Sequence, residues 1–300
     1  MALPLAPGQR AIPIPGSAVA TEPTESIETT EPALRTHRRF DRAARLFGEP
    51  ALHELMHARV LVFGMGGVGS FAAEALARSG VGTLCLVDFD DICVTNANRQ
   101  LHALKGNIGR KKVDVMAERL RRVHPPSVVE AVAEFYEAET SERLLRGRVD
   151  YVVDAIDNLA AKAHLIATCR ARSIPVVSSM GAAARMDPTA IRVADLSDTT
   201  RDPFASALRK ILRKRHGMPC MAGEASGVEA VYSIETPRPP AVLSYDTEAG
   251  FQCVCPSGKN GKHTCDRRSR IDGSAAFVAG AFGLACASVV VRAYTPPPTV

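Results

Sequence analysis

Apolar residues along this chain alternate between short β-branched runs and longer stretches at helical spacing. Pro50 to His57 reads as a short helix, with Leu52, Leu55 and Met56 on one face. Arg59-Val60-Leu61-Val62-Phe63 is a five-residue apolar run ending at glycines, the pattern of a buried parallel strand. Ser70 to Ser79 carries Phe71, Ala75 and Leu76 at helical spacing, with Gly80 as its stop. Thr83 to Val87 is a second strand, ending at Asp88, and Lys111 to Val123 a basic amphipathic helix closed by Pro125-Pro126. Val128 to Val132 and Tyr151 to Ala155 predict further strands, separated by a helix at Ser141 to Leu145. Ala160 to Arg172 is helical in pattern, and Pro175 to Ser178 is a fifth strand. Strands alternating with helices at this rhythm predict a Rossmann-like α/β fold: a mostly parallel sheet with helices on both faces.

After Gly181 the rhythm changes. A strand at Ile191 to Asp195, a basic helix at Pro203 to His216 and a strand at Glu229 to Ser233 come first. A Pro-rich, Cys-containing stretch then leads to Ala275–Val291, apolar and rich in Ala and Gly. That segment is slightly short for a membrane span and reads as a buried helix, without membrane association. Residues 1–37 are rich in Pro, Thr and Glu without periodicity and read as a disordered leader. Residues 38–300 then form one unit, with a core at about 58–182 and a C-terminal α+β extension at about 183–300.

Composition narrows the class only a little. A hydrophobic fraction of 46% and a charged fraction of 23% are ordinary for a globular protein, and 300 residues suffice for a large core. The formal net charge of +5 suits an anionic partner such as ATP or RNA without requiring one. Of eight cysteines, Cys85, Cys93, Cys169 and Cys286 lie in apolar segments, as core residues in a reducing, cytoplasmic compartment do. The N-terminus lacks a secretory pattern, and Glu22, Glu25, Glu28 and Glu31 argue against a transit peptide.

The chemistry begins at Gly64-Met65-Gly66-Gly67-Val68-Gly69, between a strand and a helix. In that setting Gly64, Gly66, Gly67 and Gly69 let the backbone approach phosphates, and the helix N-terminus offers N–H donors and partial positive charge. Asp88, at the end of the next strand and followed by Asp90, is placed for ribose hydroxyls. A nicotinamide-dependent redox enzyme fits these features equally. What separates the readings lies downstream, in Asn96-Ala97-Asn98-Arg99-Gln100, Gly109-Arg110-Lys111-Lys112 and Asp154-Ala155-Ile156-Asp157-Asn158. Hydride transfer has little use for two cations and a further carboxylate beside the phosphates. Cleavage of ATP between the α and β phosphates does: Arg99 and Lys112 would neutralise charge, and Asp157 would hold magnesium.

From about Arg39 to Gly283 this run of motifs resembles the superfamily of ubiquitin-activating enzymes and their bacterial relatives, which adenylate carboxylates. The resemblance implies that Asp88 binds ribose, that Asn96, Arg99 and Lys112 contact phosphates and that Asp157 binds magnesium. It also implies a homodimer in which Arg42 reaches the partner's nucleotide site. Within the superfamily, the chain is most similar to the tRNA threonylcarbamoyladenosine dehydratase family. Arg39-Phe40-Asp41-Arg42, Leu46-Phe47-Gly48, Phe71 to Gly80, Cys93 to Ala103, Gly181-Ala182-Ala183, Asp187-Pro188-Thr189, Asp202-Pro203 and Val231-Tyr232-Ser233 with Glu235 carry that similarity. ATP and magnesium are then the expected cofactors and tRNA the expected partner. The basic run Arg209, Lys210, Arg213, Lys214 and Arg215 suits phosphate contact, and Lys105, Arg110, Lys111, Arg119, Arg121 and Arg122 would extend the same field.

Cys253, Cys255, His263 and Cys265 fall outside the family pattern. Two readings stand: a tetrahedral zinc site, or a loop of reduced thiols open to a sulfur-transfer or redox partner. Two other functions also stay open at this point: adenylation of the C-terminal carboxylate of a ubiquitin-like sulfur carrier, and a nicotinamide-dependent redox or sensor role.

Overall fold

The structure is a computed structural model and describes residues 38–243 and 271–295. The predicted leader and the stretch containing Cys253, Cys255, His263 and Cys265 lie outside the described residues. Helices α1 (Asp41–Phe47) and α2 (Glu49–His57) lead into β1 (Arg59–Phe63), α3 (Gly69–Arg78) and β2 (Thr83–Val87). Then come α4 (Lys112–Val123), β3 (Val128–Val132), α5 (Ala138–Leu144), β4 (Tyr151–Asp154), α6 (Leu159–Ala171) and β5 (Val176–Ser179). Strand β6 (Ile191–Asp195), helix α7 (Pro203–His216), β7 (Glu229–Ser233) and α8 (Ala276–Tyr294) complete the order.

The seven strands of the described residues belong to one sheet, ordered β3-β2-β1-β4-β5-β7-β6. Every pairing is parallel except that of β6 with β7. The segment that changes rhythm after Gly181 therefore extends the same sheet by two strands. β1 lies between β2 and β4, so the chain passes to opposite sides of the sheet there. The carboxyl ends of β1 and β4 flank the crevice where open α/β sheets bind ligands.

Period-two alternation divides the core. Val60, Val62, Leu84, Leu86, Val153 and Val177 face α3, α4 and α8, while Leu61, Phe63, Cys85, Val152 and Val176 face α5, α6 and α7. Cys85, Cys93, Cys169 and Cys286 are all buried, as expected of core residues. Burial pushes the Cys85, Cys169 and Cys286 thiols up to about 12, so these three are inert at neutral pH.

Two elements differ from the sequence reading for local reasons. α5 begins at Ala138, three residues earlier than expected, because Glu137 and Thr140 form a reciprocal capping box. Glutamate is an unusual N-cap, which hid the start. β4 ends at Asp154, because the Asp154 carboxylate accepts from the Ile156 N–H and turns the chain out of the strand. By contrast, α7 begins where Asp202-Pro203 predicts: Asp202 Oδ1 accepts from Ala205 N at 3.0 Å.

α8 has the length and apolarity of a membrane span, yet 56% of its most apolar window is buried against its own chain. Its small residues permit close packing on α3. A Cβ on Gly283 would collide with the Val68 carbonyl oxygen, and one on Gly280 would lie 3.1 Å from the Phe71 ring. The opposite face of α8 keeps Phe277 and Leu284 half exposed.

Asp195 ties the end of β6 to the start of β7. It accepts from the backbone and hydroxyl of both Ser197 and Ser226, and from Gly227 N. Partial burial works against its carboxylate, but these donors outweigh it and hold the pKa down to about 2. A depressed carboxyl pKa contributes stability above its unfolded value of about 3.9 and loses it as pH falls toward 2. The stability difference between wild type and Asp195→Ala, measured by urea unfolding, should thus be constant above pH 5 and shrink between pH 4 and 2.

Candidate functional site

The glycine loop closes β1 onto the N-terminus of α3. Gly64 has φ +88°, and a Cβ there would lie 2.6 Å from the Ala155 carbonyl oxygen in the loop after β4. A Cβ on Gly69 would overlap the Gly64 carbonyl oxygen. Gly67 faces Arg99 and Ala279 of α8, and Gly66 has only the Gln100 side chain near it. The loop thus turns back on itself, and its glycines put no Cβ over the backbone at the α3 N-terminus, as a phosphate cradle requires. Gly69→Ala must displace backbone, so it should weaken ATP binding by at least about tenfold and destabilise the fold by about 1–3 kcal/mol. Calorimetric titration with ATP and thermal melting measure the two effects.

Asp88 is 9% exposed and Lys112 is 6% exposed. Asp88 Oδ2 accepts from Met65 N at 2.5 Å and Oδ1 from Asp90 N at 2.8 Å, so the carboxylate pins the glycine loop to β2. Lys112, the first residue of α4, donates to Asp90 at 2.7 Å and lies 3.9 Å from Asp88. Burial pushes the Asp88 carboxyl above the usual carboxylate range, against the pull of Lys112. Burial also opposes the Lys112 charge, but Asp88, Asp90 and Asp157 together hold its pKa above the ordinary lysine value.

Asn96 is buried, and its Oδ1 accepts from Cys93 N at 3.0 Å, shaping the turn that presents Arg99. Arg99 donates to Thr95 O and Asn98 Oδ1. The 154–158 motif separates into three roles. Asp154 is fully buried, Asn158 caps α6 through Ala160 N and Ala161 N, and Asp157 alone is exposed. Asp88, Asp90, Asn96, Arg99, Lys112 and Asp157 therefore gather with the glycine loop around the carboxyl ends of β2, β1 and β4.

Arg42 is not placed with them. It is exposed on α1, whose Phe40 and Ala44 pack with Leu52 near Gly80 at the C-terminal end of α3. The glycine loop sits at the other end of that ten-residue helix, about 15 Å away by helix rise. The basic groups are also divided. α4 packs on one face of the sheet and α7 on the other, so their cations do not merge into the single field expected from sequence. Arg209 donates to Thr199 O at 2.7 Å and to Leu196 O, which leaves Lys210, Arg213, Lys214 and Arg215 as the exposed cations of α7. Arg110, Arg119 and Arg122 instead line a cleft of about 710 Å³ with Arg39, Arg78 and His102.

Among the described residues no group of three or more His, Cys, Asp or Glu is arranged to hold a metal. The donors at the nucleotide crevice nonetheless fit magnesium, which keeps several waters and takes one or two carboxylates plus phosphate oxygens. Asp88, Asp90 and Asp157 set three carboxylates around the one ammonium of Lys112. Of the three, only Asp157 is exposed.

Sequence reading missed three contributions. Gln100 is buried beside Gly66 and bonds His102 at 3.0 Å. The N-terminal part of α8 backs the glycine loop, with Asn98 bonded to Ser274 O at 2.8 Å. Lys162 is fully buried against Asp154; the only sequence signal was a lysine within an apolar helix.

Comparison with known proteins agrees with this geometry. The tRNA threonylcarbamoyladenosine dehydratase of Escherichia coli is 41% identical over 255 residues, covering 85% of this chain and 92% of that protein. The Bacillus subtilis protein of the same name is 46% identical over 198 residues, covering 66% of this chain and 75% of its own length. The crystal structure of the E. coli dehydratase in complex with ATP superposes with a TM-score of 0.73 at 38% identity, covering 86% of this chain and 94% of that one. The ThiF family matches residues 40–298, and with a glycine loop, paired aspartates and buried lysine at the switch point of the sheet, this chain belongs to the ThiF family.

Proposed function

We propose that this protein catalyses the ATP-dependent dehydration of N6-threonylcarbamoyladenosine at position 37 of tRNA. The carrying observation is the convergence of the glycine loop, Asp88, Arg99, Lys112 and Asp157 at one crevice, in a chain similar to the Escherichia coli dehydratase over 92% of that protein. Asp88 and Asp90 receive the ribose side of ATP, while Asn96, Arg99 and Lys112 face its phosphates. Asp157 is the ligand for magnesium, which when bound offsets phosphate charge and polarises the α-phosphoryl group.

The threonyl carboxylate oxygen attacks the α-phosphorus, and pyrophosphate leaves. A nitrogen of the same modified side chain then attacks the activated carbonyl, loses its proton and expels AMP. The carboxylate oxygen departs on AMP, so the base loses one water in net. A carboxylate has a poor leaving group, which adenylation replaces with a good one; intramolecular attack then needs no external nucleophile. No catalytic cysteine is required.

Exposed Lys210, Arg213, Lys214 and Arg215 on α7 supply tRNA backbone contacts in this reading. The protein works as a cytoplasmic homodimer, each Arg42 serving the partner's site, because Arg42 stands at the far end of α3 from its own glycine loop. Mixing inactive Arg42→Ala and Asp157→Ala proteins after subunit exchange should then restore about a quarter of wild-type activity, since half the dimers regain one complete site. No recovery would sink the trans arrangement. For Cys253, Cys255, His263 and Cys265 metal analysis of the purified protein separates the two readings, zinc site or reduced thiols.

The reaction itself is tested by incubating the protein with ATP, magnesium and tRNA bearing threonylcarbamoyladenosine, followed by mass spectrometry of nucleosides. Loss of one water from the modified base is expected. Unchanged nucleosides, with pyrophosphate release that depends on a small sulfur carrier protein, would favour the other adenylation reading.

A further inference from the structure

Beneath the crevice, three side chains without exposed surface meet on the α6 face of the sheet: Asp154, Lys162 and Ser178. Asp154 and Ser178 are register partners on β4 and β5, and Lys162 enters from the first turns of α6. Lys162 Nζ donates to Asp154 Oδ2 at 2.7 Å and to Ser178 Oγ at 3.0 Å, and Ser178 Oγ donates to Asp154 Oδ2 at 2.7 Å. The Phe204 ring of α7 lies 5.9 Å from the ammonium. The second carboxylate oxygen, Asp154 Oδ1, accepts from Ile156 N at 3.1 Å.

Stability does not account for this arrangement. Withdrawing two charges from water is costly, and apolar side chains of similar volume often serve a core as well or better. Nor do these groups touch a substrate, since none reaches solvent. What the network does is join the ends of β4 and β5, the start of α6 and the backbone of the intervening loop. That loop carries Asp157, and its Ala155 carbonyl packs against Gly64.

We propose that Asp154 and Lys162 are positioning residues that fix the Asp157 loop against the glycine loop. The proposal rests on the reading of Asp157 as a nucleotide-site ligand. Their charge pair is kept in the interior for placement. Apolar substitutes would fill the space and leave the loop without its anchor.

The test is Lys162→Met/Asp154→Leu in the full chain. The melting temperature should stay within about 5 °C of wild type, because volume is preserved as charge is removed. Amides of residues 155–158 should exchange with deuterium on the order of tenfold faster, while those of β1 and β2 keep wild-type protection. The magnesium concentration that half-saturates ATP binding, followed by calorimetry, should rise about tenfold or more. A purely structural role predicts instead faster exchange throughout the sheet and an unmoved magnesium dependence.

Wild-type loop exchange and magnesium dependence in the folded double variant would overturn the proposal. Should that variant not fold, Ser178→Ala leaves the charges balanced and removes one anchor. It should still speed loop exchange by at least about twofold, and an unchanged loop there overturns the idea equally. The exchange measurement needs neither ATP nor tRNA. It decides the matter even where wild-type protein fails to convert modified tRNA, the outcome that sinks the functional reading alone.

Discussion

Asp157→Ala is expected to reduce dehydration of modified tRNA by about 10²-fold or more, with the fold left intact. Asp157 is exposed in the loop after β4, a loop that Asp154 holds through Ile156 and Asn158 closes by capping α6. Its removal should therefore change unfolding free energy by no more than about 0.5 kcal/mol. Three carboxylates share the crevice with Lys112, so removing one should leave magnesium-free ATP binding unchanged or slightly tighter. Single-turnover kinetics with excess protein, paired with urea unfolding, separate these effects. Turnover within fivefold of wild type would remove Asp157 from the mechanism.

Lys112→Ala is expected to combine a loss of activity with a large loss of stability. The substitution leaves Asp88 buried without its counter-charge, and breaking a buried pair from one side costs about 3–5 kcal/mol. The pH dependence should carry a signature. In wild type the raised Lys112 pKa contributes stability fully present below about pH 10 and lost as pH rises through the folded value. In the variant, Asp88, already raised by burial, rises further, so protonating it at low pH relieves the unpaired charge. The stability deficit should be greatest between neutral and mildly alkaline pH and shrink as pH falls toward the ordinary carboxylate range. A deficit independent of pH would show that Lys112 acts by packing alone.

Asp157 and Lys112 stood out in the sequence because each lies in a short motif beside a strand end, and the fold brings the two near each other. For Arg209 the same local reasoning saw only part of the side chain's surroundings. Its place in a basic helix suggested phosphate contact, and the fold adds a second role, since its Nη1 donates to the Leu196 and Thr199 carbonyls. The apolar stretch near the C-terminus was read as a buried helix, and its glycines have a reason visible only in the fold: Gly283 lets α8 approach the Val68 backbone. That approach also sets Ala279 against Gly67, so a segment some two hundred residues away supports the phosphate loop.

The sequence by itself determined which segments become strands and helices, since hydrophobic period and capping chemistry act within a few residues. It also determined the phosphate loop, because a strand, glycines and a helix N-terminus suffice to form one. Tertiary structure alone decided that β4 lies beside β1, that the basic helices occupy opposite faces, and that Lys162 finds Asp154 and Ser178 in the interior. The reason is the same in each case. Such partners are brought together by strand order and by the packing of whole faces, quantities that no local run of residues contains.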